Sequence, residues 1–400
     1  MQGDQARSKA LTYSVILALA FAFGWGSIPI FRRFSADIDS STALALRYLT
    51  AAGVLFILIG LWALKRHKLG TGLWGFLRGS SHYQTRNGKV YHFPSILEWL
   101  LLSLVMNFLS VYFFFLGVSG SSPITGVSLS YTYPVIVTGY KVWKENLRKL
   151  IFLLASVGTI AGTLISASQL DVSVRFEAIY PLLFSVTWGI GTVLSDHLDG
   201  LKQRLRDSLE NVQQARALKF VRIEELRLHG YIDSSETPTL SDKGKHLLAE
   251  LESAGSRVAH RLTRTATMLL IAGIMATLLV FATDGSLGLS RVGQFYLTGL
   301  GPSGWTYTDF VGILSLALIS TAISYVCLWE YWSRLNAIKK DGGLVTILQG
   351  FEFVGGAVLL AVVPPQVSIS SLQWLGLSLI LVAGGLAVYE YVFKDHDAAS

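Results

Sequence analysis

Among the ionisable side chains that fall inside long apolar stretches of this chain, those of Arg47 and Glu352 are the main candidates for a function. A charge at such a position in a membrane is unfavourable by ~3 kcal/mol or more, so each side chain is expected to face a cavity or a partner. The Arg47 guanidinium could bind a carboxylate through two parallel hydrogen bonds. Alternatively it extends to the lipid headgroups, or it pairs with Asp37 or Asp39. Glu352 is too deep for the headgroups, which suits a proton-coupling or amine-binding carboxyl, or a structural glutamic acid bonded to a neighbouring helix.

Neutral polar and aromatic side chains in the same stretches extend this candidate site. Gln349 precedes Glu352 by about one helical turn, so the two would share a helix face. Aromatic rings with few polar anchors suit an aromatic or amphiphilic solute, although Trp and Tyr also form belts at membrane interfaces. The complete candidate set for solute binding is Trp25, Arg47, Asn107, Tyr131, Trp188, Tyr325, Gln349 and Glu352, and Glu352 is also the candidate for proton coupling.

The sequence contains no pattern typical of catalysis or metal binding. Its one cysteine is Cys327, which excludes a disulfide within the chain and a Cys-rich metal site. It also lacks the Gly-rich phosphate loop with its lysine that a pump driven by ATP would need. We therefore expect no enzyme activity, no cofactor and no metal, with a small-molecule solute and the lipid bilayer as partners.

Ten apolar stretches, each about as long as a helix that crosses a bilayer, position these residues. They lie near 12–33, 43–64, 95–117, 124–143, 149–168, 177–196, 264–282, 309–332, 343–363 and 372–393. The composition agrees, because 52% of the residues are hydrophobic and only 15% are charged. Backbone groups in hydrocarbon must bond within their own segment, so each stretch is expected to be a helix. The predicted fold is an all-α membrane protein with ten transmembrane helices.

The basic residues are distributed unequally between the loops. With the N-terminus inside and ten spans, the inner segments hold most of the 33 Lys and Arg residues. The outer loops hold only Arg32, Arg33, Arg175 and Arg291. This asymmetry predicts a plasma membrane protein with both termini in the cytoplasm. It also explains the net charge of +7 without a nucleic-acid partner.

Residue pairs recur in the same order in the two halves of the chain. Trp25-Gly26 in the first stretch corresponds to Trp188-Gly189 in the sixth, for example. We therefore predict two repeats of five helices, at 10–169 and at 175–197 plus 264–394. An odd number of helices makes the second repeat enter the membrane with inverted orientation, an arrangement typical of secondary transporters with a solute site between the repeats.

Several segments resemble the EamA repeats of the drug/metabolite transporter superfamily. The run from Thr125 to Pro134-Val resembles the end of such a repeat, and the segment around Arg47 resembles the family's arginine-bearing second helix. The run from Ser320 to Trp329 resembles the matching helix of the second copy. The resemblance implies a ten-helix carrier that exports amino acids, other metabolites or drugs by alternating access.

The chain departs from the pattern of this family in three places. Glu352-Phe353 stands where a proline is expected within a helix, and Pro364-Pro365 stands where a terminal acidic residue is expected. The segment 198–263 replaces what is usually a short loop. These departures leave the subfamily and the solute open.

Two segments lie outside the apolar stretches. In 78–93, Asn87-Gly88 between polar and apolar arms predicts a β-hairpin. The insertion 198–263 has a helical pattern, and part of it resembles the closing half of a winged-helix domain: helix, glycine turn, wing and final helix. Its basic and acidic residues nearly balance, so we expect no DNA binding but a possible cytoplasmic protein partner. The alternative to a transporter is therefore a membrane ligand sensor or signalling protein with this insertion as its output.

Overall fold

The structure is a computed structural model that describes residues 19–65, 80–119, 179–216, 218–233, 237–256, 258–298, 305–328, 351–363 and 369–376, with isolated residues elsewhere. The described chain is helical except for one β-hairpin and the connecting turns. The helices with both ends among the described residues are α1 (Ile28–Phe34), α2 (Ser40–Lys65), α3 (Ser95–Leu102), α4 (Val111–Ser119), α5 (Ile179–Gln213), α6 (Phe220–Leu228), α7 (Asp242–Ser256), α8 (Val258–Thr298), α9 (Tyr307–Ala317) and α10 (Phe351–Val362). Residues 19–26 and 371–376 are also helical. Within the described residues, the π-helical segments π1 (Ser103–Ser110) and π2 (Leu318–Ile323) directly follow α3 and α9.

Four of the described helical segments are long and apolar enough to cross a membrane. They are Ser40–Leu61, Ser95–Val118, Leu262–Leu297 and Tyr307–Leu328. This result agrees with an all-α membrane protein. The predicted stretches 124–143 and 149–168 lie mostly outside the described residues. The number of ten helices therefore stays a prediction.

The surface of α8 supports its placement in lipid. Ile274, Leu278 and Phe281 are all exposed, whereas Ala272 and Ala276 are fully buried. The large apolar side chains therefore point outward and the small ones face the protein. Such a helix would be unfavourable in water, but it suits a bilayer, where helices approach each other through small residues.

Three predicted stretches have different boundaries in the structure. The stretch 264–282 belongs to α8, which continues to Thr298 and is interrupted at Gly285, where φ is 61° and ψ is −143°. Glycine adopts this backbone conformation without steric strain. The stretch 177–196 belongs to α5, which continues to Gln213. The stretch 12–33 is interrupted by a turn at Ser27 before α1 begins.

The chain divides into two compact units. The first unit comprises Met1–Ile57, Ser103–Thr192 and Thr265–Ser400, and the second comprises Leu58–Leu102 and Val193–Arg264. The second unit therefore joins the predicted hairpin segment and the predicted insertion in one body.

The predicted hairpin in the second unit is confirmed. Strands β1 (Ser80–Gln84) and β2 (Val90–Pro94) pair antiparallel, with Gln84 opposite Val90 at the turn. Gly88 in this turn has a φ of 91°, which explains why the Asn-Gly signal works here. The Gly88 N–H donates to the Thr85 carbonyl and so closes the turn.

The insertion forms a small core with one strand of the hairpin. Helix α6 is followed by Gly230 with a φ of 70°, an isolated bridge between Ile232 and Leu240, and then α7. The predicted order is helix, glycine turn, wing and final helix; in the structure an isolated bridge stands at the position of the wing, and the winged-helix resemblance itself stays a prediction. The core contains Val90, Leu205, Leu209, Val212, Leu226, Tyr231, Ile232, Leu240, Leu247 and Leu248.

Candidate functional site

Helix α2 brings Arg47 into the interior of the first unit. Asp39 precedes the helix, and its Oδ1 accepts a hydrogen bond of 2.8 Å from the Thr42 N–H, as expected of an N-cap. Small residues such as Ala43 and Ala51 are fully buried on α2 and allow neighbouring helices to approach. Arg47 lies about two turns after the helix begins and has no exposed surface.

The Arg47 guanidinium donates hydrogen bonds to π2. Its Nε donates to Thr321 Oγ1 over 2.5 Å, and its Nη2 donates to the Ser320 carbonyl over 3.3 Å. Its Nη1 is buried and has no hydrogen-bond partner among the residues that the structure describes. Arg47 therefore does not extend to the headgroups, and Asp39 caps α2 instead of pairing with it.

The adjacent residue, Tyr48, contacts the other π segment. It is fully buried, and its hydroxyl donates to the backbone carbonyl of Asn107 in π1 over 2.8 Å. The Asn107 Oδ1 atom accepts a second hydrogen bond from the Tyr325 hydroxyl. Neighbouring residues of α2 thus connect to both π segments, which are the parts of their helices with irregular hydrogen bonding.

Hydroxyl groups stabilise the irregular backbone of both π segments. Thr321 Oγ1 donates to the Leu316 carbonyl over 2.7 Å, and Ser110 Oγ donates to the Val105 carbonyl over 2.6 Å. Both acceptors lie five residues earlier in the chain. Because the Thr321 proton is used in this way, its oxygen is available to accept from Arg47.

Aromatic rings surround the polar groups. The centroid of Trp25 lies 4.8 Å from that of Trp188 and 5.8 Å from that of Tyr325. The Arg47 guanidinium lies over the rings of Tyr48, at 5.3 Å, and Phe115, at 5.4 Å. We call this group the Arg47 cluster; it consists of Trp25, Arg47, Tyr48, Asn107, Phe115, Trp188, Ser320, Thr321 and Tyr325.

Five of the eight predicted site residues belong to the Arg47 cluster: Trp25, Arg47, Asn107, Trp188 and Tyr325. Tyr131 and Gln349 lie outside the described residues. The backbone of Glu352 belongs to α10, but its side chain lies outside the described part of the structure. In the same helix, a Cβ added to Gly356 would lie only 2.9 Å from the Gly26 carbonyl oxygen, so this packing requires glycine.

Sequence reasoning missed four members of the Arg47 cluster: Tyr48, Phe115, Ser320 and Thr321. Ser320 and Thr321 were noted only as part of a family-like segment. Two consecutive hydroxyl residues in an apolar stretch were the available signal, since buried polar groups need partners. Tyr48 and Phe115 gave no such signal, because aromatic residues are common in this chain.

A second buried charge, which the sequence analysis did not select, lies in the second unit. Glu98 Oε2 accepts hydrogen bonds of 2.7 Å from Ser81 Oγ and Tyr83 Oη, and Lys202 Nζ lies 2.8 Å from both of its carboxylate oxygens. Arg264 Nη2 lies 3.4 Å from Oε1. Burial and the neighbouring carboxylate raise the pKa of Tyr83, so its hydroxyl keeps the proton that it donates. We call these five residues the Glu98 cluster.

Three histidines meet next to a tyrosine and a lysine in the second unit. The rings of His82 and His92 are 6.2 Å apart, and those of His92 and His229 are 6.1 Å apart. Tyr231 Oη lies 3.0 Å from His82 Nδ1. Burial, together with the charges of His92, Lys243 and His229, lowers the pKa of His82 to about 4. Within the described part of the chain, no group of three or more His, Cys, Asp or Glu residues could hold a metal ion.

Comparisons with known proteins identify a fold but no family. No family model matches the chain, and no curated protein matches it. Eleven chains of solved structures match. One of them is a crystal structure of a protein that is 13% identical, with a TM-score of 0.51, over 94% of this chain and 96% of that chain. At this identity the match shows a similar fold and says nothing about function.

Proposed function

We propose that this protein is a secondary transporter that exports small organic solutes by alternating access. The observation that carries the proposal is the Arg47 cluster: a fully buried arginine, ringed by aromatic side chains, in an apolar helix. An ionisable group inside a membrane span is unfavourable and is typical of a solute or ion pathway. An aromatic surrounding with few polar anchors is typical of a small-molecule site.

The two π segments support two inverted repeats of five helices. They lie in the third and eighth of the ten predicted stretches, which occupy the same position in the two proposed repeats. π-helical segments are rare and occur frequently at functional sites. Arg47 and Tyr48 bond one to each of them. In this proposal the solute site lies between the repeats, as in other carriers with inverted repeats.

Membership of the drug/metabolite transporter superfamily is part of the same proposal, and its support is the EamA-like sequence around Arg47 and Ser320. We further propose that Glu352 couples transport to protons, because α10 places its backbone inside an apolar helix. Both termini would lie in the cytoplasm of a plasma membrane protein, as the distribution of basic residues predicts.

Flux in proteoliposomes tests this function. The full chain is reconstituted with a pH-sensitive dye inside, and a panel of amino acids and aromatic carboxylates is added outside. We expect at least one solute to change the internal pH, and Glu352→Gln to abolish this change. Glu210→Gln, which removes a partly exposed ion pair with Arg206, is the matched control and should behave as wild type.

The outcome also separates the transporter from the sensor. A solute that raises the melting temperature of the purified protein but never crosses the vesicle membrane would refute transport and support the sensor. Solute flux that is unchanged in Glu352→Gln across a pH series would retain the transporter and reject the proton-coupling role.

A further inference from the structure

Arg47 carries a positive charge for which the described residues supply no acid. Its Nε and Nη2 donate to a hydroxyl and a carbonyl oxygen of π2, and both acceptors are neutral. No described carboxylate lies within ion-pair distance of the guanidinium, and Nη1 has no hydrogen-bond partner in that part of the chain. Arginine cannot lose its proton in a protein, so the charge persists. A buried guanidinium without a carboxylate partner is therefore expected to bind an anion.

A second unpartnered donor lies beside the first. Trp25 is 5% exposed, and its Nε1 is buried without a hydrogen-bond partner among the described residues. The Arg47 guanidinium carbon lies 6.0 Å from the centre of the Trp25 ring. Buried indole N–H groups usually have a partner. A carboxylate has two oxygens, so it provides an acceptor for each of these two donors, and arginine binds carboxylates well.

The side chains around these two donors favour a ligand with an apolar body. Trp25 contacts Trp188 and Tyr325 ring to ring. Asn107 Oδ1 accepts a hydrogen bond from the Tyr325 hydroxyl and belongs to a neutral amide, not to a carboxylate. The cluster therefore offers apolar area and the positive charge of Arg47, which repels a second cation, and it includes no carboxylate among its members.

We propose that Arg47 and Trp25 bind the carboxylate of a small aromatic anion whose ring packs against Trp25, Trp188 and Tyr325. This inference rests on the proposed transport function and specifies the charge of the solute. The site prefers a simple monoanion to a zwitterionic amino acid, because an ammonium group would be repelled by Arg47. Neutral and cationic analogues of the same shape bind weakly.

Calorimetric titration of the purified full chain in detergent tests this preference. The probes share one carbon skeleton and differ in charge: 3-phenylpropionate, 3-phenylpropanamide, 3-phenylpropylamine and phenylalanine. We expect the carboxylate to bind about tenfold or more tightly than each of the others, since it alone provides a charge-assisted pair without an opposing charge. Equal affinity for the amide, or tighter binding of phenylalanine or the amine, would overturn the proposal.

Variants locate the binding group. Arg47→Gln should weaken binding of 3-phenylpropionate about tenfold or more and leave the amide unchanged. Trp25→Phe retains an aromatic ring but removes the N–H donor, so binding of the carboxylate should weaken severalfold. The control is Arg291→Gln, which breaks an exposed ion pair with Asp284 in the same unit and should leave all four affinities unchanged. Unchanged binding of the carboxylate to folded Arg47→Gln would contradict the proposal.

The wild-type ligand series does not depend on any variant, so misfolding of Arg47→Gln would leave the proposal testable. Proteoliposomes separate this inference from the proposed function. Selective binding of 3-phenylpropionate without flux would refute transport and retain the anion site. Flux of the amine or the amide without preference for the carboxylate would retain transport and overturn the anion site.

Discussion

One buried charge in each unit, Arg47 in the first and Glu98 in the second, can be compared, and the two are compensated in opposite ways. Glu98 has two cationic partners, Lys202 and Arg264, and its side chain is 2% exposed. It also accepts hydrogen bonds from two hydroxyl groups. Arg47 is fully buried, yet its described acceptors are one hydroxyl and one carbonyl oxygen. The carboxylate is thus fully compensated, whereas the guanidinium is only partly compensated.

This difference separates a structural charge from a functional one. A buried ion that has all its partners resists rearrangement, because removal of any partner leaves an uncompensated charge. A buried ion that lacks partners is destabilising in the resting protein and is retained where a ligand completes it. We therefore expect Glu98 to stabilise its unit, and in our proposal the unpartnered Nη1 of Arg47 is available to a ligand.

The largest effect is expected from Glu98→Gln. This change keeps the shape of the side chain but leaves Lys202 and Arg264 without their buried counter-charge. Breaking a buried pair in this way is unfavourable by about 3 kcal/mol or more. Unfolding of the second unit can be followed by limited proteolysis. If the free energy of unfolding fell only as little as in the control, the Glu98 cluster would not be structural.

The control for this experiment is Glu210→Gln. Glu210 pairs with Arg206 four residues earlier on α5 over 2.6 Å, and both side chains are partly exposed. Water screens such a pair, and its contribution to the free energy of unfolding is only about 0.3–0.5 kcal/mol. The contrast between the two variants measures what burial adds to an ion pair in the same unit.

An intermediate effect is expected from pH, because His82 can avoid a buried charge by losing its proton. Its pKa is about 4 in the folded chain and near the ordinary value of 6.5 in the unfolded chain. The unfolded chain therefore binds the proton more tightly, and the stabilisation present above pH 6.5 is lost as the pH falls towards 4. His82→Asn should reduce this loss of melting temperature between pH 6.5 and pH 4. Identical pH profiles for the two proteins would contradict this assignment.

Apart from the control, the smallest effect on stability is expected from Arg47→Met. Methionine fills a similar volume without charge, and replacing an incompletely paired buried ion with an apolar residue is often neutral or stabilising. We expect the free energy of unfolding to change by less than about 1 kcal/mol, while binding of 3-phenylpropionate is lost. If Arg47→Met destabilised the protein as much as Glu98→Gln, both buried charges would be structural and the contrast between them would be wrong.

Local signals explain which parts of the structure were predictable. Long apolar stretches indicated helices because the hydrocarbon core leaves no other solution for backbone groups. The Asn87-Gly88 pair indicated the hairpin because its turn needs a residue with positive φ, and Gly88 supplies it. Arg47 was recognised because a charge in an apolar stretch stands out from its neighbours. Each of these features depends on residues that are close together in the sequence.

The features that were missed depend on distant partners. Glu98 was counted as part of an apolar stretch, although its cationic partners lie 104 and 166 residues away in the chain. The continuation of α8 beyond residue 282 was also missed, because Asp284 and Gly285 are typical of a loop. In the structure the helix is interrupted at Gly285 and then continues to Thr298. The two π segments follow no sequence periodicity that single-chain reasoning could use.

The winding of π2 has a mechanical consequence. A π-helical segment contains one residue more than an α-helix with the same number of turns, so the surplus can be absorbed or released without unfolding. If π2 rewound as a regular α-helix, every later residue would rotate by about 100° relative to the earlier ones. Tyr325 would then turn away from Asn107. A shift of one residue in helical register would thus break the Tyr325–Asn107 hydrogen bond and move the Tyr325 ring away from Trp25.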